Sequence, residues 1–194
     1  MKLLLVRHAK PLVPPGTCYG ASDIPADAQH TAQAARALAG RLPAGAHVVC
    51  SPLQRCAALA AAVTDLRPDV RTQVDGGLRE RDFGDWEGRP WREIARAEIE
   101  AWTGDFARYR PGGGESVASL LARVALALEE SRGWPSATGR APVWITHAGV
   151  MRAAMLLAEG CAAPPEPDRW PRRVLRFGKT MELVLGQHAR SQSA

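Results

Sequence analysis

The sequence predicts an α/β fold, a three-layer sandwich with a mostly parallel central sheet covered by helices on both faces. Two observations predict it. Short β-rich apolar runs at residues 2–6, 47–50, 70–74, 143–146 and 181–185 alternate with Ala/Leu/Arg stretches of helical character at 26–42, 53–66, 91–106, 117–130 and 150–159. Strands that alternate with helices imply crossover connections, and crossovers put helices on both faces of a parallel sheet. The first and fourth runs also end on histidine, as Val6-Arg7-His8 and Thr146-His147. Open sheets of this class bind ligands beyond the carboxyl ends of their strands.

The first run, Leu3-Leu4-Leu5-Val6, stops on Arg7-His8 and continues as Ala9-Lys10. A single strand-terminal histidine is ordinarily a hydrogen-bonded structural residue. Two of them, with Arg7 and Lys10 close by in sequence, gather several cationic groups in one cleft, which suits a phosphate. The second run, His47-Val48-Val49-Cys50, leads into Ser51-Pro52-Leu53-Gln54-Arg55. Ser51 can cap the next helix and Pro52 fits its first position. Arg55 then falls in the first turn, where the positive end of the helix dipole disfavours a cation unless an anion is near; the plain alternative is an exposed arginine on a solvated helix. Residues 78–88 form a dense acidic, aromatic and glycine-containing segment that carries Glu80, Asp82, Asp85 and Glu87. Such a loop can hold a carboxyl group in a defined place, or can simply turn its acids to water. In the fourth helical stretch, Val117, Leu120, Leu121, Val124 and Leu128 recur on one helical face.

The 194 residues suit one domain, 1–194, because the Pro-rich pieces at 11–15 and 164–171 read as surface loops and separate no self-sufficient halves. The four apolar residues after Lys2 are too few for a secretory h-region or a membrane span, so a cytoplasmic protein with no membrane partner is expected. The four cysteines form no C-x-x-C pair and have no histidine at zinc-ligand spacing. Free thiols are expected, with no metal and no cofactor. The formal net charge of +5 comes from 25 basic residues, nearly all arginine, spread along the chain without a block of nucleic-acid type. A mild positive field of this kind steers a small anion into a cleft.

Taken together these residues resemble the histidine phosphatase superfamily, with its phosphoglycerate-mutase-like fold. The resemblance rests on five segments in family order: Arg7-His8, Ser51-Pro52-Leu53-Gln54-Arg55, residues 78–88, Pro111-Gly112-Gly113-Gly114-Glu115-Ser116, and His147-Ala148-Gly149-Val150-Met151-Arg152. It implies that His8 is the nucleophile, that Glu80 is the proton donor, and that Arg7, Arg55 and His147 bind the substrate phosphate. Within the superfamily, Gly16-Thr17-Cys18-Tyr19-Gly20, Ser22-Asp23-Ile24-Pro25 and residues 82–91 are similar to α-ribazole 5'-phosphate phosphatases of cobalamin nucleotide-loop assembly. The chain departs from the superfamily pattern in two places. Ala9-Lys10 stands where Gly-Glu is common, and residues 11–15 offer no Asn to contact phosphate.

The chemistry implied is phosphoryl transfer to histidine, which asks a protein mainly for positioning and charge stabilisation. Forked guanidinium donors match phosphate oxygens, a neutral imidazole attacks, and a carboxyl protonates the leaving oxygen and then deprotonates water. A small phosphorylated substrate and a metal-independent phosphomonoesterase are therefore expected. A broad-specificity phosphatase or a phosphoglycerate mutase is the enzymatic alternative, although the mutase relatives are longer and cover the site with insertions. A phosphate-binding regulator without activity is the non-enzymatic one, and the presence of both His8 and Glu80 speaks against it.

Overall fold

The structure is a computed structural model and describes residues 2–133, 141–173 and 175–186. Five strands form one sheet: β1 (Lys2–Arg7), β2 (His47–Cys50), β3 (Arg71–Val74), β4 (Val143–Thr146) and β5 (Thr180–Val184), in the order β3-β2-β4-β1-β5. The β1–β4, β2–β4 and β2–β3 pairs are parallel, and β5 adds to the edge at β1 in the antiparallel sense. Alternation along each strand sends side chains to two cores. Leu3, Leu5, Val49 and Trp144 face α4 (Val117–Gly133) and α5 (Ala148–Ala158). Val6, Val48, Cys50, Val143 and Ile145 face α1 (Ala28–Ala39) and α2 (Gln54–Leu66). The sheet is thus covered on both faces, as its two-sided apolar runs require.

This order creates a switch point. The chain leaves β1 through α1 toward β2 on one side, and leaves β4 through α5 toward β5 on the other. The crevice between the carboxyl ends of neighbouring strands β1 and β4 is where open α/β sheets bind ligands. The residues that follow those ends are His8 and His147, joined through the His8 N–H, which donates to the Thr146 carbonyl at 3.0 Å.

Several element boundaries differ from expectation for local reasons. The first helix is shorter because the Asp27 carboxylate caps it, accepting the His30 N–H at 2.6 Å. Ser51 does not cap α2; its hydroxyl accepts the Leu53 N–H before the helix begins, and Asp23 from a distant loop accepts the Gln54 N–H at 2.7 Å. Residues 91–106 do not form one helix. A 3-10 turn at Trp91–Glu93 gives way to extended Ile94, and α3 follows at Arg96–Gly104. Ile94 is drawn into a small core with Cys18 and Trp86, so burial overrides helical continuity there. The third apolar run buries only Val70, and β3 itself is an exposed edge. Cys18, Cys50 and Cys56 are buried free thiols and Cys161 is an exposed one. Among the described residues, no helix is long and apolar enough to cross a membrane.

Candidate active site

His8 follows the end of β1 and is 2% exposed. Its Nδ1 lies 2.7 Å from the Ala9 carbonyl, which can only accept, so Nδ1 carries the ring proton and Nε2 keeps its lone pair. Burial, assisted by the charges of Arg55 and Arg7, pushes the His8 imidazole down to about 3 from an ordinary 6.5. The ring is therefore neutral across the physiological range. Phe177 flanks it at 5.3 Å and His147 at 5.0 Å between ring centroids.

Arg7, the preceding residue, donates to the Leu175 carbonyl at 2.6 Å and lies 4.0 Å from the centre of the Phe177 ring. Its Nε is buried and has no hydrogen-bond partner. With His8 and Glu80 it lines a cavity of about 380 Å³ at the carboxyl edge of the sheet. Thr17, Tyr19, Arg81, Gly149 and Arg152 also face this space, and Phe83, Trp91, Trp102, Phe106 and Trp170 give it an aromatic wall.

Glu80 is held by two backbone donors. Its Oε1 accepts the Arg81 N–H at 2.9 Å and its Oε2 accepts the Gly149 N–H, near the start of α5, at 3.0 Å. The segment that carries Glu80 is fixed from behind. Glu87 accepts the N–H groups of Ala21, Ser22 and Phe83 and the Ser22 hydroxyl, tying residues 21–22 to the acidic loop. Gly84 and Gly112 meet backbone to backbone; both have positive φ, and a Cβ on Gly84 would sit 2.0 Å from the Gly112 carbonyl oxygen. Residues 111–114 thus brace the loop rather than face the cavity.

Arg55 is fully buried, which removes the surface alternative. Its Nε donates to His147 Nδ1 at 3.3 Å, and its terminal nitrogens donate to the Ser22 carbonyl at 2.7 Å and to the Gly20 carbonyl. Three of its five N–H groups are so engaged. His147 is also fully buried; because Nδ1 accepts from Arg55, Nε2 bears the proton and donates to Ser51 Oγ at 2.8 Å. Burial lowers the His147 imidazole well below its ordinary value, and the neighbouring positive groups add to the effect. Arg7, His8 and Glu80 therefore share the cavity wall, while Arg55, His147 and Ser51 form a hydrogen-bonded layer against His8. Lys10 is exposed, and its backbone rather than its ammonium makes the local contacts, with His30 Nδ1 and the Asp27 N–H.

Sequence reasoning assigned no role to Arg81, Arg152 or Tyr19, although all three fall inside the segments it singled out. Arg152 lies three residues after Gly149 on α5, and this i,i+3 spacing puts it on the face that meets Glu80. That signal was available. The aromatic wall was not, because it draws on residues between 83 and 170 that only the fold brings together.

A family model of the histidine phosphatase superfamily (branch 1) matches residues 3–172. The chain belongs to this superfamily. A glucosyl-3-phosphoglycerate phosphatase of Mycolicibacterium vanbaalenii is 32% identical over 167 residues, covering 81% of this chain and 70% of that protein. A metal-independent phosphoserine phosphatase of Arabidopsis thaliana is 36% identical over 115 residues, 56% of this chain and 47% of the relative. The chain spans about half the length of that plant relative. Among solved structures, the α-ribazole phosphatase of Shigella flexneri superposes with a TM-score of 0.74 at 25% identity, covering 96% of this chain and 92% of the other. A mycobacterial glucosyl-3-phosphoglycerate phosphatase in complex with vanadate gives 0.77 at 25% identity, covering 94% and 90%. The α/β fold with a mostly parallel five-stranded sheet is the phosphoglycerate-mutase-like fold of this superfamily.

Proposed function

We propose that this chain is a metal-independent phosphomonoesterase that works through a phosphohistidine. The observation that carries the reading is the state of His8: a buried, neutral imidazole with its proton tied to the Ala9 carbonyl, on a cavity wall beside Arg7 and Glu80. In the first step the Nε2 lone pair attacks phosphorus, the N–P bond forms, the ester P–O bond breaks, and the leaving oxygen takes the proton of Glu80. In the second step water attacks phosphorus, Glu80 accepts its proton, the N–P bond breaks, and inorganic phosphate leaves with His8 neutral again. Arg7 and the two uncommitted N–H groups of Arg55 neutralise the equatorial oxygens. His147 completes the shell next to His8.

The aromatic wall favours a ring-bearing leaving group, since flat rings pack on aromatic faces. We place the substrate among such phosphomonoesters, with α-ribazole 5'-phosphate the first to assay, in keeping with the similarity of residues 16–25 and 82–91. The test is hydrolysis of p-nitrophenyl phosphate and of α-ribazole 5'-phosphate by the full chain in excess EDTA. Turnover of both supports the whole reading. Turnover of the first alone removes the substrate assignment, and loss of all activity in EDTA removes metal independence.

A further inference from the structure

β5 runs antiparallel to β1, so the chain that enters β5 lies at the carboxyl end of β1, beside Arg7 and His8. The Arg7 N–H donates to the Lys179 carbonyl at 3.0 Å. The Gly178 N–H is shared between the Arg7 and His8 carbonyls, 3.0 Å from each. Gly178 has a φ of +69°, and a Cβ there would stand 2.8 Å from that of Ala34, so this approach against α1 needs glycine. Residues 175–179 thus grip the backbone of the Arg7-His8 pair.

The same segment holds both side chains. The Leu175 carbonyl accepts from Arg7 Nη1 at 2.6 Å, and the Arg7 guanidinium lies over the Phe177 ring, 4.0 Å from its centre. The Phe177 and His8 ring centroids are 5.3 Å apart, with the planes tilted by 41°. Every group that holds the Arg7 guanidinium is neutral: a carbonyl, a ring face and the Tyr19 hydroxyl beside it. Among the described residues Arg7 forms no ion pair. A carboxylate partner would cancel the charge that a phosphate dianion calls for. The negative face of a ring instead fixes a guanidinium and leaves its charge whole. It also removes freedom from a long side chain whose ordering otherwise opposes binding. Phe177 is not on the cavity wall, so any effect it has on the reaction passes through its neighbours.

We propose that Phe177 is a positioning residue for phosphoryl transfer. Its ring face sets the guanidinium plane of Arg7, and its contact with the imidazole keeps that plane beside the His8 nucleophile. The inference rests on the phosphomonoesterase reading above and adds to it the residue that orders its two neighbouring groups.

The test reads phosphate affinity and turnover in parallel. Inorganic phosphate is titrated calorimetrically into the full chain, and kcat and KM are measured on p-nitrophenyl phosphate. Phe177→Leu keeps an apolar side chain and removes the ring face. It should weaken phosphate binding by about fivefold to thirtyfold, the reach of a cation–π contact, and lower kcat/KM with it. Phe177→Tyr retains the face and should stay within about twofold of wild type. In an Arg7→Gln background, Phe177→Leu should change phosphate affinity by less than about twofold, because the partner of the ring has gone. Replacing Phe177 by 3,5-difluorophenylalanine keeps the shape and withdraws charge from the ring face. That variant should lose part of what Phe177→Leu loses, and it decides the matter where Phe177→Leu does not fold. Wild-type phosphate affinity in the leucine or the difluoro variant overturns the positioning role while the phosphatase reading stands. So does an equal loss with and without Arg7. If the wild type does not hydrolyse p-nitrophenyl phosphate, the phosphatase reading fails, and the phosphate titrations still decide whether Phe177 sets Arg7.

Discussion

The Glu80 carboxylate is locked to Gly149: its Oε2 accepts the Gly149 N–H at 3.0 Å, and a Cβ on Gly149 would stand 2.3 Å from its Oε1. The start of α5, which follows His147, therefore positions the carboxyl as well as the histidine. Gly149→Ala will push Glu80 out of place. Alanine is the better helix former by about 1 kcal/mol, so folding should survive while kcat on glycerol 3-phosphate falls by about a hundredfold, the lower reach of general acid catalysis. Steady-state kinetics beside a thermal melt checks this. An unchanged kcat would free Glu80 from any need for that position.

Glu80→Gln will slow alkyl phosphates far more than p-nitrophenyl phosphate, because p-nitrophenolate leaves without a proton and an alkoxide does not. The difference should lie within about a hundred- to ten-thousand-fold, the usual value of general acid catalysis. Equal losses on the two substrates would assign the proton to another group.

Arg55→Ala will weaken phosphate and vanadate inhibition together with substrate binding, by about 1.5–3 kcal/mol for a lost charge-assisted hydrogen bond. Arg55→Lys should recover only part, since a point charge cannot replace the fork. Arg55 also donates to the Gly20 and Ser22 carbonyls and to His147, so the stability of both variants must be measured alongside. Vanadate inhibition unaltered in a folded Arg55→Ala would take Arg55 out of the phosphate shell.

Much of this was legible in the chain. The two-sided apolar runs fixed β1, β2 and β4 closely, because a strand buried on both faces must be apolar throughout. The histidines that end β1 and β4 were recognisable for the same reason. What was hidden depended on contacts between distant segments. Asp23 rather than Ser51 satisfies the start of α2; Ile94 breaks a helical pattern by joining Trp86 and Cys18. Arg81 and Arg152 read as ordinary charges of a basic protein, and only the fold brings them to one cavity, each with a buried nitrogen that has no hydrogen-bond partner.

Stability should fall as the solution is acidified from neutrality. His8 titrates at about 3 in the folded chain against an ordinary 6.5, and His147 is shifted in the same direction. Between those values the unfolded chain binds protons that the folded chain refuses, so stability rises with pH through that window and is lost on the way down. A ring that takes a full proton only on unfolding gives a slope of at most about 1 kcal/mol per pH unit; His8 supplies it in this window and His147 acts in the same direction. Urea midpoints at pH 7.5, 6 and 5 measure it, and His8→Asn should flatten the slope. A wild-type midpoint independent of pH over this range would contradict the buried neutral state of both rings.

The central claim is that His8 carries the phosphoryl group, and rapid quenching during turnover of a ³²P-labelled phosphomonoester tests it most directly. The account predicts acid-labile, alkali-stable label on the wild-type chain at His8, and neither label nor turnover in a folded His8→Ala variant. Turnover within about tenfold of wild type by that variant, far less than loss of a nucleophile costs, would contradict it.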